Sequence, residues 1–318
     1  MRLFFCDFME ESPSVSVVLA TYNGEEFLAA QLDSILQQTF PLLEIIVVDD
    51  CSTDGTVALL NEYAARYPWL KVLVNEVNLG FTLNFEKGML LAKGELIAFS
   101  DQDDIWHPTK IQALVGLIGE HDIVYANSRL IDDAGQPIGQ NYTDIRCLQD
   151  FNSCLSFVIG NTVSGHAMLI RRALVPRSMP FNKMIPYDHW LCFVATFRHP
   201  IAYLPTVLVD YRQHRNNVFG MSSVVNGIRR EKKQKSEAQK LQDIREGIRL
   251  LYEKCPAELT LEKKVLARLN RSYRSFSLPN NFLRMVTFFQ YREQLLATKK
   301  RTAFRKWLFC FKMFVKIR

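Results

Sequence analysis

The sequence lacks the marks of several large protein classes. Its seven cysteines (Cys6, Cys51, Cys147, Cys154, Cys192, Cys255 and Cys310) are odd in number and widely scattered, with no CxxC pair and no Cys/His cluster at zinc spacing. That argues against a disulfide scaffold or a zinc module and fits a reduced setting. No run of eighteen apolar residues occurs, so no transmembrane helix is expected. The N-terminal region, with Asp7, Glu10 and Glu11 close together, does not run from basic to apolar as a signal peptide does, and a cytoplasmic location is expected. Neither GxGxxG nor GxxxxGK followed by Ser or Thr is present. Dinucleotide-binding and P-loop folds therefore lose the glycines that cradle phosphate.

What is present is enough for a sizeable core. The chain has 318 residues, 48% of them hydrophobic, which predicts one large domain with an appendage. The net charge of +6 hides a division: residues 1–210 hold 13 Lys+Arg against 25 Asp+Glu, and residues 211–318 hold 26 against 8. The acidic part suits cation-using chemistry. The basic part suits an anionic partner, membrane surface or nucleic acid.

In the first half, short apolar runs alternate with helical patterns, the pattern of βαβ units and a largely parallel sheet. Strands are predicted at Ser16–Ala20, Glu44–Val48, Lys71–Val74, Leu96–Ser100 and Asp122–Ala126. Between them Leu28, Leu32, Ile35 and Leu36, then Val57, Leu60 and Ala64, then Leu83 to Ala92, then Ile111, Leu114, Val115 and Ile118 fall at helical spacing,. Three of these strands end in polar clusters: Thr21-Tyr22-Asn23, Asp49-Asp50 and Asp101-Gln102-Asp103-Asp104. Ligands of open α/β sheets lie beyond the carboxyl ends of the strands. Three carboxylates within four positions repel one another unless a cation sits among them, and such an ion can also hold phosphate oxygens. After Asp132-Asp133-Ala134-Gly135, a hairpin-like turn, the pattern is less regular, with a polar stretch Gly160–Gly165 leading to a strand at Ala167–Ile170 and Asp188 at a helix start. From Gly227 the chain reads as helical and basic.

With these residues assembled, the chain resembles the family 2 glycosyltransferases, inverting nucleotide-sugar enzymes of the GT-A fold. VVLATYNGEEFL, IIVVDDCSTDGT, NLGF with NFEKG, and SDQDDIW match family blocks in order, between about Ser14 and Asn217. SDQDDIW with YDHWL and YRQHRNN is most similar to a rhamnosyltransferase-type branch. The resemblance implies a Rossmann-like, mostly parallel sheet flanked by helices over residues 1–222, with a nucleotide-sugar half at about 14–126, an acceptor half at about 127–222, and a basic helical extension at 223–318. It implies that Thr21, Tyr22, Asn23, Asp49 and Asp50 bind the nucleotide, and that Asp101-Gln102-Asp103 is the DXD motif. Asp103 would be the direct ligand of Mg²⁺ or Mn²⁺, with Asp101 facing the ribose or the metal and His214 near the metal. Asp188 matches the catalytic base, with His189 as its rival. Cys51, where the family more often has glycine, and Arg215, where the branch usually has glycine, depart from the pattern.

Each residue also has a plainer reading. Asp188 can cap a helix, Asp49 and Asp50 can be a solvated turn, and His166 can make a structural hydrogen bond. Trp106 and Trp190 are read as core, as large aromatics usually are. The segment Arg301–Lys316 mixes cations with aromatic and aliphatic groups, which suits a membrane interface or a terminal helix docked on its own domain. The expected activity is transfer of a sugar, rhamnose in this branch, from a nucleoside-diphosphate sugar to a glycan or polyprenyl-linked acceptor of a surface polysaccharide. The enzyme is expected to be peripheral on the inner face of the membrane and not to bind nucleic acid. The competing readings are a nucleotidyltransferase, which would need a basic glycine-rich loop where Thr21–Glu26 is acidic, and a nucleic-acid binder using the basic half.

Overall fold

The computed structural model describes residues 12–214 and 236–315. The domain boundary expected near residue 222, Arg215, and the ends of the chain lie outside the described residues.

The first four strands, β1 (Val15–Thr21), β2 (Glu44–Asp49), β3 (Leu70–Val74) and β4 (Leu96–Ser100), lie parallel in the order β3-β2-β1-β4. β1, β2 and β4 form because apolar runs find cover on both faces, as parallel strands require, whereas β3, at the sheet edge, leaves Lys71 and Val74 exposed. One face of β1 buries Val15, Val17 and Leu19 against Leu28, Leu32 and Ile35 of α1 (Glu25–Leu36) and against Ile111 and Leu114 of α4 (Lys110–Ile118). The other face buries Val18 against Phe85 and Met89 of α3 (Phe81–Leu91). Full burial of each such side chain stabilises the fold by about 1.5–3 kcal/mol. Helix α3 lies flush on the sheet at Gly88, where an added Cβ would stand 2.3 Å from Val18. Helix α2 (Thr56–Arg66) packs beside β3.

Beyond β4 the sheet becomes mixed, with antiparallel pairs beside the parallel ones. In chain order β5 (Ile105–Trp106), β6 (Ile123–Ile131), β7 (Pro137–Asn141), β8 (Met168–Arg171) and β9 (Ala202–Arg212) complete nine strands among the described residues. Strand β8 runs antiparallel between β4 and β6, and β9 runs parallel to β6 with two register shifts. The hairpin read at Asp132–Gly135 is there, joining β6 to β7. Strand β9 was not expected from the sequence: Pro205 interrupts its run, and the register shifts between Ala126 and Ser128 accommodate it,. Helix α5 (Tyr142–Ile145), α6 (Leu174–Ser178) and α7 (Tyr187–Ala195) follow on this side, and α7 brings Trp190, Leu191 and Phe193 into the core.

The basic extension is helical, as expected, in α8 (Glu237–Lys254), α9 (Thr260–Tyr273), α10 (Leu278–Gln290), α11 (Arg292–Leu295) and α12 (Ala303–Val315). It docks on the sheet-bearing part of the chain. Cys255, Leu266, Phe288 and Cys310 join one core cluster with Cys154, Leu155 and Phe157. Lys254 donates to the Met179 carbonyl at 2.8 Å, and Lys300 to those of Thr143 and Asp144. The six cysteines among the described residues are free thiols. No helix among the described residues is long and apolar enough to cross a membrane.

The departure at Cys51 has a conformational meaning. Its φ of 67° is left-handed, where glycine carries no penalty and a β-branched residue is strained. Cys51→Gly is expected to leave the thermal midpoint unchanged or raise it, whereas Cys51→Val should cost about 1–2 kcal/mol in chemical denaturation. Equal midpoints for the two variants would show that the turn is not confined to this conformation.

Candidate functional site

The three polar strand ends lie at one level, because the parallel register pairs Thr21 with Asp49 and Leu19 with Ser100. They are laced together. The Gln102 amide accepts from Tyr22 N at 2.7 Å and donates to Tyr22 O at 3.1 Å. Gly24 leaves room for it, since a Cβ there would stand 2.3 Å from the Gln102 side chain. Asn23 Oδ1 accepts from Thr53 N at 2.8 Å, and Ser52 Oγ accepts from Asn23 N at 2.8 Å. Asp49 is fully enclosed, accepting from Thr21 Oγ1, Ser52 N and Ser52 Oγ. Asp50, 3% exposed, accepts from Leu79 N, Gly80 N and Asn75 Nδ2. The backbone bonds of Asp50 thus fix the start of α3. Of the expected nucleotide contacts near β1 and β2, Tyr22, at 49% exposure, and Asn23 are open, while Thr21, Asp49 and Asp50 are buried.

The carboxylates after β4 divide by access. The Asp101 side chain is 42% open and that of Asp103 is 12% open, whereas Asp104 is enclosed. Asp103 Oδ2 lies 2.7 Å from His214 Nε2, and Phe27 packs on the same imidazole at 4.9 Å between ring centroids. The expected pairing of Asp103 with His214 is therefore present in space, although 111 residues separate them. Asp101, Asp104 and His166 offer ligand atoms that lie within 4.8 Å of one another, so this second constellation could also hold a cation. Asp104 Oδ2 has no hydrogen-bond partner, its Oδ1 accepts from Arg212 N at 3.1 Å, and His166 Nδ1 is 3.6 Å from Oδ2.

Beneath them is a residue the sequence reading missed. Lys110 is wholly buried, its ammonium 2.6 Å from the His166 carbonyl and 3.2 Å from the centre of the Trp106 ring. Burial pushes the Asp104 carboxyl well up and the Lys110 ammonium well down, while their mutual attraction opposes both shifts. Burial, with the Lys110 charge, also lowers His166 to about 3, so its imidazole is neutral. The available signal was position: Lys110 shares the apolar face of α4 with Leu114 and Ile118 at i+4 and i+8,. Arg212 was likewise unread. Its guanidinium holds the carbonyls of Asp103, Asp132 and Asp133 and stacks on Phe27 at 4.7 Å.

Helix α7 presents Asp188. Its Oδ2 accepts from Asn161 Nδ2 at 3.2 Å and its Oδ1 from His189 N at 2.7 Å. Asn161 falls in the polar Gly160–Gly165 stretch and was not singled out by the sequence. Burial lifts the Asp188 carboxyl to about 6, against the hydrogen bonds that lower it. Asp101 is pushed up to about 7 by its enclosing protein first, then by the charges of Asp103 and Asp188. Because 42% of its side chain is open, water offsets part of that push. His189 is turned away: its Nε2 meets the Phe157 carbonyl and its ring lines a cavity on the far side. Tyr187, stacked on Phe85 and edge-on to Phe99, presses its hydroxyl on Gly165, where a Cβ would lie 1.9 Å from it. Trp106 and Trp190 are core residues, 2% and 4% exposed.

Asp101, Asp104 and His166 could hold a cation, and Asp188 is a carboxyl with a raised pKa whose charge acts on Asp101. A family model described as glycosyl transferase family 2 matches residues 16–177. An uncharacterized glycosyltransferase of Haemophilus influenzae is 31% identical over 229 residues, 69% of this chain and 70% of that one. An uncharacterized protein of Mycobacterium bovis is 30% identical over 212 residues, 64% of this chain and 60% of that one. Among solved structures, S. aureus TarS 1–349 in complex with UDP-GlcNAc superposes with a TM-score of 0.58 at 21% identity, covering 96% of this chain and 81% of that one.

The raised carboxyls set a sign for pH dependence. A folded pKa above the unfolded value of about 3.9 means that the folded state holds its protons more tightly. The associated stability is present at pH 4 and is lost as pH rises through 6 to 7. In EDTA, the thermal midpoint of the parent should fall relative to Asp101→Asn between pH 5 and pH 8, and Mn²⁺ should stabilise the parent more at pH 8 than at pH 5. A constant offset between the two proteins over that range would contradict the assignment.

Proposed function

Since the chain belongs to glycosyl transferase family 2, we propose that it is a metal-dependent inverting glycosyltransferase that uses a nucleoside-diphosphate sugar, with Asp188 as the base. The observation that carries the proposal is the setting of Asp188: a carboxylate aligned by Asn161 Nδ2 and His189 N, lifted to about 6, and near enough to Asp101 for its charge to raise that carboxyl. A general base works best with a pKa near the working pH. In a single displacement it must lie on the side of the sugar away from the leaving diphosphate. His189 is spent on the Phe157 carbonyl, which favours Asp188 over its rival.

In this reading Asp101 and Asp103, with His214, would hold Mg²⁺ or Mn²⁺. Asp103 and Asp101 reach the crevice, whereas Asp104 is enclosed and already opposed by Lys110. The ion, when bound, supplies a Lewis acid for the diphosphate leaving group. Tyr22, Asn23 and Asp50, with Thr21 and Asp49 supporting them, form the nucleotide pocket. TarS is described with UDP-GlcNAc, which supports a nucleotide-sugar donor here. The SDQDDIW, YDHWL and YRQHRNN blocks, which resemble a rhamnosyltransferase-type branch, support rhamnose as the sugar. The acceptor is read as a glycan or polyprenyl-linked saccharide, in surface-polysaccharide synthesis. Residues 1–222 form the catalytic unit and 223–318 the basic extension.

Peripheral attachment to the inner face of the cell membrane is supported by α12. One face docks through Cys310, with Phe309 and Met313 packed beside it. The other leaves Phe304 67%, Trp307 48% and Phe311 48% exposed. These three rings stack in a row, Trp307 lying 6.4 Å from Phe304 and 6.3 Å from Phe311. Arg301, Arg305 and Lys312 belong to the same segment, and each cation near an anionic leaflet contributes about 1 kcal/mol.

Two tests follow. Asp188→Asn should lower transfer by about 10²–10⁴-fold with unchanged Mn²⁺-dependent binding of UDP or dTDP, and Asp103→Ala should lose that binding; transfer by Asp188→Asn at the parent rate would place the base elsewhere. The parent should co-sediment with anionic liposomes at low salt and Trp307→Ala/Phe311→Ala should not; equal recovery in the pellet would rule out α12 as the anchor.

A further inference from the structure

Beside the expected cation site lies a second set of donors. Asp101, Asp104 and His166 offer ligand atoms within 4.8 Å of one another. Ser128 Oγ meets His166 Nε2 at 3.0 Å, which leaves Nδ1 for the carboxylates, 3.6 Å from Asp104 Oδ2 and 3.8 Å from Asp101 Oδ2. Metal-bound imidazoles are commonly oriented in this way, by a partner on the other ring nitrogen. Asp104 Oδ2, on a wholly buried residue, has no hydrogen-bond partner. By donor chemistry alone, two carboxylates and an oriented imidazole would draw a divalent ion.

Lys110 stands against it. The residue is wholly buried, and its Nζ lies 2.6 Å from the His166 carbonyl oxygen and 3.2 Å from the centre of the Trp106 ring. Burial works to take the proton from this amine, whereas the charges of Asp104 and Asp101 work to keep it. A short bond to a carbonyl oxygen and the face of an indole both suit the ammonium form. Its charge reaches Asp101, Asp104 and His166 alike. A fixed cation that acts on all three donors repels an ion placed among them, and does so strongly where little water screens it. Given the metal-dependent function proposed above, we infer that Lys110 is a specificity-determining residue of the cation site. It stands in for an inner ion, bars Asp101, Asp104 and His166 from taking one, and leaves Asp101 to a single ion shared with Asp103.

Equilibrium dialysis of the full chain against Mn²⁺ with UDP or dTDP counts the ions, as manganese in excess on the protein side. The parent is expected to take one ion per chain, Lys110→Met two, and Lys110→Met/Asp104→Asn one again. In that double variant, which removes a buried charge of each sign, the ion should bind within about threefold of its parent affinity. Where Lys110→Met alone fails to fold, the charge-balanced double variant still decides, since an ion lost from it would place the parent's ion on Asp104. That loss, two ions on the parent, or one ion on folded Lys110→Met would each overturn the role of Lys110 and leave the transferase reading standing. No ion on the parent would overturn the proposed metal dependence itself, and the role of Lys110 with it.

Discussion

Mutual repulsion among carboxylates is the constraint on which the site depends. Asp101, Asp103 and Asp104 follow a single strand, and the charge of Asp188 acts on Asp101. Two unit charges 4 Å apart repel by about 4 kcal/mol at an effective dielectric of 20, so a protein that gathers four must neutralise some of them. Here two devices share the task. Lys110, buried under the cluster, opposes Asp104 from within. Protons, in the raised Asp101 and Asp188 carboxyls, cover part of the rest. In the proposed function a divalent ion held by Asp101 and Asp103 would take the place of those protons and would supply the Lewis acid that a diphosphate reaction uses.

The remainder of the fold keeps these charges from moving apart. The β1, β2 and β4 ends are set level by parallel register, then tied by side chains that bond to backbone: Gln102 to Tyr22, Asp49 to Ser52, Asp50 to Leu79 and Gly80. Arg212, from the last strand, grips the carbonyls around Asp103 and Asp132. Helix α7 is held through Tyr187, stacked on Phe85 and edge-on to Phe99, and this fixes Asp188 relative to β4. Geometry prepared before the ligand arrives is what positioning catalysis requires.

The sequence revealed some of these parts and concealed others for physical reasons. Strands of a parallel half are continuous apolar runs with covered faces, and Leu96–Ser100 was read with the boundaries observed. Polar clusters at strand exits were equally legible, since few other causes put so many acids after an apolar run. Strand β9 was hidden by Pro205 and by pairing that depends on β6, far away in the chain. Asp104 was visible as a residue but not as the enclosed member of its trio, because burial is decided by Lys110 and His166 from other elements. Asp49 reads from sequence like Asp50, yet the structure turns it inward on Thr21 and Ser52. Docking of α12 on the domain is present, as one of the two readings of that segment expected, and its outer rings are exposed.

The most direct measurement is the proton count that accompanies ligand binding. Mn²⁺ with UDP or dTDP, titrated into the protein at pH 6.5 in buffers of different ionisation enthalpy, should release protons, because the cation takes the place of those held by Asp101 and its neighbours. Nucleotide binding should also vanish in EDTA. Binding of the nucleoside diphosphate in EDTA at the same strength, with no protons released in the Mn²⁺ titration, would contradict the account.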